Sequence, residues 1–231
     1  MKKFVIAIDG PAASGKSTTA RLAAERLGYL FIDTGAMYRA MTLKILENRI
    51  DPNDAERVGQ IAQETRVELR REGTGVRVFL DGRDVTDGIR SRDVTNAASG
   101  VSAVQMVRDV MVREQQRLGE RGGVILDGRD IGTVVFPGAD LKIFMLADVG
   151  TRALRRQKEL AEDEVHVRID ELAQEIQNRD RKDSEREISP LRKADDAIVL
   201  DTSQMSIEEQ VQFILTQVEK LGSKHADGHR R

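Results

Sequence analysis

The sequence predicts an α/β protein: a parallel sheet flanked by helices, with a smaller subdomain inserted in the series. Three observations carry this prediction. Residues 4–19, FVIAIDGPAASGKSTT, pass from a β-branched apolar stretch through G-x-x-x-x-G-K-[ST] directly into helical periodicity, the order strand, loop, helix that this motif requires. A second strand–helix pair follows at once, and a β-α-β-α opening is the signature of parallel strands. Alternating apolar and polar residues between Val67 and Leu80 then interrupt the series, which reads as an inserted β-hairpin.

The elements follow in order. In the loop Gly10, Pro11, Ala12, Ala13, Ser14, Gly15, Lys16, Ser17 and Thr18, the glycines let successive N–H groups curl around an anion. The next helix points its positive end at the same place, and Lys16 adds a full charge. Ser17 stands where its hydroxyl can serve Mg²⁺. The first helix carries Ala20, Leu22, Ala23 and Leu27 at helical spacing and stops at Gly28. Leu30–Asp33 is the second strand, and DTGAMYR starts a helix bearing Met37, Ala40, Met41, Ile45 and Leu46. Asp54 is placed to cap a helix running to about residue 65. Val67, Leu69, Val76, Val78 and Leu80 alternate on either side of Gly73-Thr-Gly75, the hairpin turn. Helical spacing resumes at Val94 and runs on through Val104, Val107, Val110, Met111 and Leu118 until Gly122-Gly123. Residues 124–126 and 141–146 are buried-strand candidates, and DGRDIGTVVFPGAD is the loop between them. Residues 151–187 have helical spacing crowded with arginines and carboxylates, residues 197–200 form a last strand, and Ser206 with Glu209 boxes the start of a helix over 206–221. The tail 222–231 is expected to be mobile.

At 231 residues the chain suits one core with inserts. Lys plus Arg number 37 against 39 Asp plus Glu, so no global field draws it to nucleic acid or an acidic membrane, and neither is expected as a partner. With no cysteine there is no disulfide, thiolate metal site or thiol nucleophile, in keeping with a cytoplasmic location. No apolar run approaches the ~18 residues of a membrane span.

A phosphate loop alone does not separate a kinase from a GTPase or a motor. The base-reading N-K-x-D of a GTPase is missing. A small-molecule kinase needs a second anion site and cations for the transferring group. Arg39 and Thr34, at the start of the second helix, are candidates for it. Arg179, Asp183 and Arg186 share a face if their segment is helical, either as solvated ion pairs or as two cations around one carboxylate. The basic turn from Arg152 to Arg156, with Lys158, is either wet surface or a lid that closes over phosphates. Asp-Gly-Arg-Asp occurs twice. The copy at Asp81 follows a hairpin strand and is most simply a solvated turn, whereas the copy at Asp127 follows a buried strand and opens on the ligand crevice. His166, His225 and His229 have no triad or metal partner by spacing and are assigned to the surface.

Taken together, GPAASGKST, DTGAMYR, NAASGVSAVQMVR, LDGRDIGTVVFP and NRDRKDSER resemble the bacterial cytidylate kinases, the (d)CMP kinases of the nucleoside monophosphate kinase group. The resemblance spans residues 4–221. It implies a three-layer P-loop fold, with core segments 1–33, 100–150 and 188–221, a monophosphate-binding subdomain with a small β-sheet over about 34–99, and a helical lid over about 151–187. It implies transfer of phosphate from ATP, with Mg²⁺, to CMP or dCMP, by a monomer. On the family pattern Asp130, Arg108 and Ser99 read cytosine, Asp183 and Arg179 take the sugar hydroxyls, and Thr34, Arg39, Arg129 and Arg186 hold the acceptor phosphate. Lys16, Arg129, Arg186 and Arg152 are then the catalytic cations. Thr34 keeps the hydroxyl of the serine found in relatives and adds a methyl. Another acceptor (UMP, AMP or a non-nucleotide) or a non-enzymatic nucleotide switch is the alternative.

Overall fold

Ile6, Ala7 and Ile8 are fully buried in strand β1 (Val5–Asp9), although they point alternately to opposite faces of the sheet. Ile6 and Ile8 pack with Ala20, Ala23 and Ala24 of helix α1 (Lys16–Leu27) and with Val211 and Ile214 near the C-terminus. Ala7 belongs to the other core, with Ile32, Met37, Met41 and Leu126. A strand covered on both faces reads as a continuous apolar run, which is why residues 4–8 lack alternation. Each large apolar side chain so buried contributes about 1.5–3 kcal/mol, enough in sum to hold a strained loop at the strand's end.

The computed structural model describes residues 3–72, 75–162 and 165–228, and over 224–228 the backbone alone. Among these, five parallel strands form the main sheet: β2 (Leu30–Asp33), β6 (Val124–Gly128), β1, β7 (Leu141–Leu146) and β8 (Ile198–Asp201), in that order. The register sets Ile8 beside Asp127, Asp9 beside Gly128 and Asp33 beside Asp127. The loops after β1, β2 and β6 therefore leave the same end of the sheet side by side, where open α/β sheets bind ligands.

The predicted starts and stops hold where their chemistry is local. Gly28 ends α1 in the left-handed region, Asp33 caps α2 (Thr34–Glu47) by accepting from the Ala36 N–H, and Asp54 caps α3 (Ala55–Glu64). The hairpin is β3 (Val67–Glu72) with β4 (Gly75–Leu80). Gly73 and Thr74 of its turn lie outside the described residues. Val67, Val78 and Leu80 join the core of α2 and α3, so the insert is welded to the sheet.

Four sequence readings need correction. The first Asp-Gly-Arg-Asp is only half turn: Asp81 and Gly82 bend with positive φ, but β5 (Arg83–Asp84) pairs onto Phe79 and Leu80 as a third strand. The helix expected to run on from Val94 is two, α4 (Arg92–Val101) and α5 (Gln105–Gly119). Ser102 donates back to the Ser99 carbonyl and its own carbonyl accepts from Arg108, which ends α4, while Val104 is extended. The loop after β6 contains a π-helical turn over Ile131–Val135. The charged tract is α6 (Val149–Glu162) and α7 (Ile169–Glu185), and Arg186 sits in extended backbone just beyond the helix that was to carry it.

The last helix, α8 (Ile207–Gly228), has the Ser206–Glu209 capping box and runs beyond the expected end at 221 into the segment read as a tail, since a single Gly222 does not stop it. His166 is exposed between α6 and α7. The His225 side chain and residues 229–231, with His229, lie outside the described residues.

Candidate active site

The loop from Gly10 to Thr18 is fixed by its glycines and by contacts from neighbouring elements. A Cβ on Gly10 would stand 2.1 Å from the Met145 carbonyl oxygen, so only glycine lets the chain leave β1 there. Gly15, at φ 93, sets the start of α1. Lys16 is buried, and its ammonium donates to the Pro11 carbonyl at 2.7 Å and to Ser14 Oγ at 3.4 Å. Burial, reinforced by the nearby Arg129 cation, pulls its pKa down. The loop's carbonyls are pinned from outside: Thr202 and Arg155 donate to Ser14 O, and Arg152 to Ala12 O at 3.2 Å. Arg152 also pairs with Asp180 of α7 at 2.6 Å, tying both helices of the charged tract to the loop.

Ser17 donates its hydroxyl to Asp127 Oδ2 across the mouth between α1 and β6. Asp127 is buried, its Oδ1 has no hydrogen-bond partner, and burial with the adjacent Asp33 carboxylate pushes its pKa up. Thr34 donates to the Asp127 carbonyl at 2.7 Å, and Arg39 pairs with Asp33 at 2.9 Å.

The other candidates fall into two adjoining groups. Arg108 and Asp130 form a fully buried ion pair, with Arg108 Nε donating to Ser189 Oγ at 2.9 Å and its guanidinium 5.5 Å from the Tyr38 ring centre. Arg186 approaches Asp130 at 3.8 Å and donates to the Ser189 carbonyl at 2.6 Å. In the second group Arg129 donates to Asp183 Oδ2 at 2.8 Å, and Ser99 donates to the other oxygen at 3.3 Å. Ser99 is thus hydrogen-bonded to Asp183 and not to Asp130. Burial opposes ionisation of Asp183, but Arg129 and Arg179 outweigh it and hold its pKa below the usual range. Arg179 Nε is buried without a partner, and burial together with Arg129 lowers its pKa to about 10. A cluster of guanidiniums that repel one another, some with free N–H groups, is chemically suited to an anion.

A family model described as cytidylate kinase matches residues 6–220. The chain belongs to the cytidylate kinase family. It is 49% identical over 219 residues to the cytidylate kinase of Bacillus subtilis (strain 168), covering 95% of this chain and 98% of that one. To the cytidylate kinase of Bacillus thuringiensis (strain Al Hakam) it is 50% identical over 214 residues, 93% and 95% of the two chains. Among solved structures, a gluconokinase from Sinorhizobium meliloti 1021 aligns over 98% of each chain with a TM-score of 0.52 and 15% identity, a likeness of fold alone.

Three groups at the centre of this candidate site were given no individual role by the sequence reading: Asp127, Asp33 and Ser189. Asp127 had a usable signal, a carboxylate ending a continuously apolar strand. Ser189 had none, since it reaches Arg108 from a residue at φ 50 in irregular chain.

Proposed function

We propose that this chain transfers the γ-phosphoryl group of ATP to the phosphate of CMP or dCMP, giving ADP with CDP or dCDP. One observation carries the reading: the phosphate loop leaves β1 beside the loop of β6 that bears Arg129 and Asp130, which supports two neighbouring anion sites, one for the donor and one for the acceptor. Lys16 and the N–H groups from Gly10 to Thr18 hold the donor phosphates. Arg39, Arg129 and Arg186 receive the acceptor phosphate, with Thr34 beside it, and Asp183 with Arg179 faces the sugar, where Ser99 also bonds Asp183. Asp130 accepts from the cytosine amino group while Arg108 donates to the base's acceptors. Uracil presents an acceptor where cytosine has its amino donor, and each polar group left buried and unpaired costs about 1–3 kcal/mol. The acceptor is already an anion, so catalysis is positioning and charge stabilisation with no dedicated base. Arg152 joins the phosphates when α6 and α7 close and exclude water, which keeps transfer from becoming hydrolysis.

The donor set suits Mg²⁺: a serine hydroxyl beside a carboxylate with an unpartnered oxygen. Among the described residues no group of three or more acidic or histidine side chains could hold a metal. Ser17 and Asp127 would therefore share the ion with phosphate oxygens and water, and its charge would offset that of the phosphates. Asp127→Asn is expected to raise the Mg²⁺ concentration needed for half-maximal rate by about 10–100-fold. An unchanged Mg²⁺ titration would take Asp127 out of this role.

The deciding experiment is a panel of monophosphates with MgATP. CMP and dCMP should exceed UMP and AMP in kcat/KM by about 100-fold or more. UMP outpacing CMP would sink the base assignment, and ATP turnover that no acceptor stimulates would make the protein a switch.

A further inference from the structure

Asp9, the last residue of β1, is buried, and both its oxygens are occupied by the loop that carries Arg129 and Asp130. Oδ1 accepts the Ile131 N–H at 2.8 Å and Oδ2 accepts the Gly132 N–H at 2.7 Å. These are the first two residues of the π-helical turn, directly behind Asp130, whose carbonyl accepts from the N–H groups of Val134 and Val135. The turn is clamped at its far end as well. Lys142 Nζ donates to the Pro137 carbonyl at 2.6 Å and to Asp196 at 2.9 Å, and its stem closes over Gly132, where an added Cβ would meet Lys142 Cδ at 3.1 Å and Asp9 Oδ2 at 3.4 Å. Local π-helix is rare and persists where surroundings over-determine it.

Holding a carboxylate here does not help the fold near neutral pH. Burial, partly offset by the two N–H bonds, pushes the Asp9 pKa from 3.8 up to about 6. The folded chain therefore binds this proton more tightly than the unfolded one, and the contribution of Asp9 to stability falls as pH rises between those values. The next residue is Gly10, where the phosphate loop begins. One side chain thus ties the start of the donor loop to the start of the base-reading turn.

We infer that Asp9 is a positioning residue for the acceptor base: through the N–H groups of Ile131 and Gly132 it fixes where Arg129 and Asp130 stand relative to the phosphate loop. The inference rests on the function proposed above. Asp9→Asn keeps one acceptor oxygen and turns an amide N–H₂ toward the other N–H, setting donor against donor. It should lower kcat/KM for CMP by about 10–100-fold, chiefly through KM for CMP, and shrink the CMP-over-UMP ratio by a similar factor. KM for ATP should move by no more than about threefold. Equal rises in both KM values, or a lower melting temperature with the ratio unchanged, would overturn the inference. A second measurement needs no variant. In the nucleotide-free protein the amides of Ile131 and Gly132 should exchange with deuterium as slowly as those of Ile125 and Leu126 in β6; fast exchange that slows only when CMP is added would show that the turn is not preset. A wrong acceptor would show in the monophosphate panel with these amides still protected, whereas a wrong role for Asp9 would show as unprotected amides with CMP preference intact.

Discussion

Lys16→Ala should lower kcat by about 10²–10³-fold, the loss that follows removal of one fixed charge or donor at a developing transition state. The geometry makes the result specific to chemistry. The ammonium is buried against Pro11 O, and burial together with Arg129 lowers its pKa. The negative charge of nucleotide phosphates would offset both influences and favour the cationic form of Lys16 when the γ-phosphoryl group moves. Burial opposes the charge of the ammonium while its bonds to Pro11 O and Ser14 Oγ offset that cost, so the alanine variant should melt close to the parent. The check is single-turnover kinetics with MgATP and CMP beside a thermal melt. Near-normal turnover would remove the phosphate loop from the mechanism, and a collapsed melting temperature would make Lys16 chiefly a brace of the loop through Pro11 O and Ser14 Oγ.

The donor half of this site was legible in the sequence because its determinants are local. Strand, glycines, lysine and helix lie within residues 4–27, and Gly28, Asp33, Asp54 and Ser206 cap or end helices through neighbours a few residues away. The acceptor half has no such locality. Arg108 meets Asp130 across 22 positions and Arg129 meets Asp183 across 54, and no spacing rule connects them; they were placed by resemblance to a known family. Asp127 had a local signal, its place at the end of an apolar strand, but its burial beside Asp33 comes from the parallel register of β2 and β6 and shows only in the fold. The break between α4 and α5 was invisible because Val101, Val104 and Val107 keep a three-residue spacing through it. Periodicity reports which side chains face a core, and it cannot report that Ser102 and Arg108 have taken the backbone groups a continuous helix would need.

Asp130→Asn is expected to cut kcat/KM for CMP by about 100-fold or more while leaving UMP nearly unchanged, because a site built around a hydrogen bond discriminates most strongly through the partner it would leave unpaired. The asparagine has the same outline, but its amide can turn an N–H₂ toward the uracil carbonyl, which the carboxylate cannot do. Discrimination is therefore the quantity that collapses. The carboxylate also balances Arg108 and faces Arg186 at 3.8 Å, and breaking a buried ion pair by removing one partner costs about 3–5 kcal/mol. Denaturant unfolding should register that loss, so stability and selectivity must be measured together on the same preparation. If stability falls while the CMP-over-UMP ratio holds, Asp130 serves only as the counter-ion of Arg108, and the base must be read elsewhere in the crevice. If both fall, and CMP slows the unfolding of the variant less than that of the parent, the carboxylate that orders the guanidiniums is the same one that meets the base, and affinity for cytosine is linked to the integrity of the Arg108–Asp130 pair.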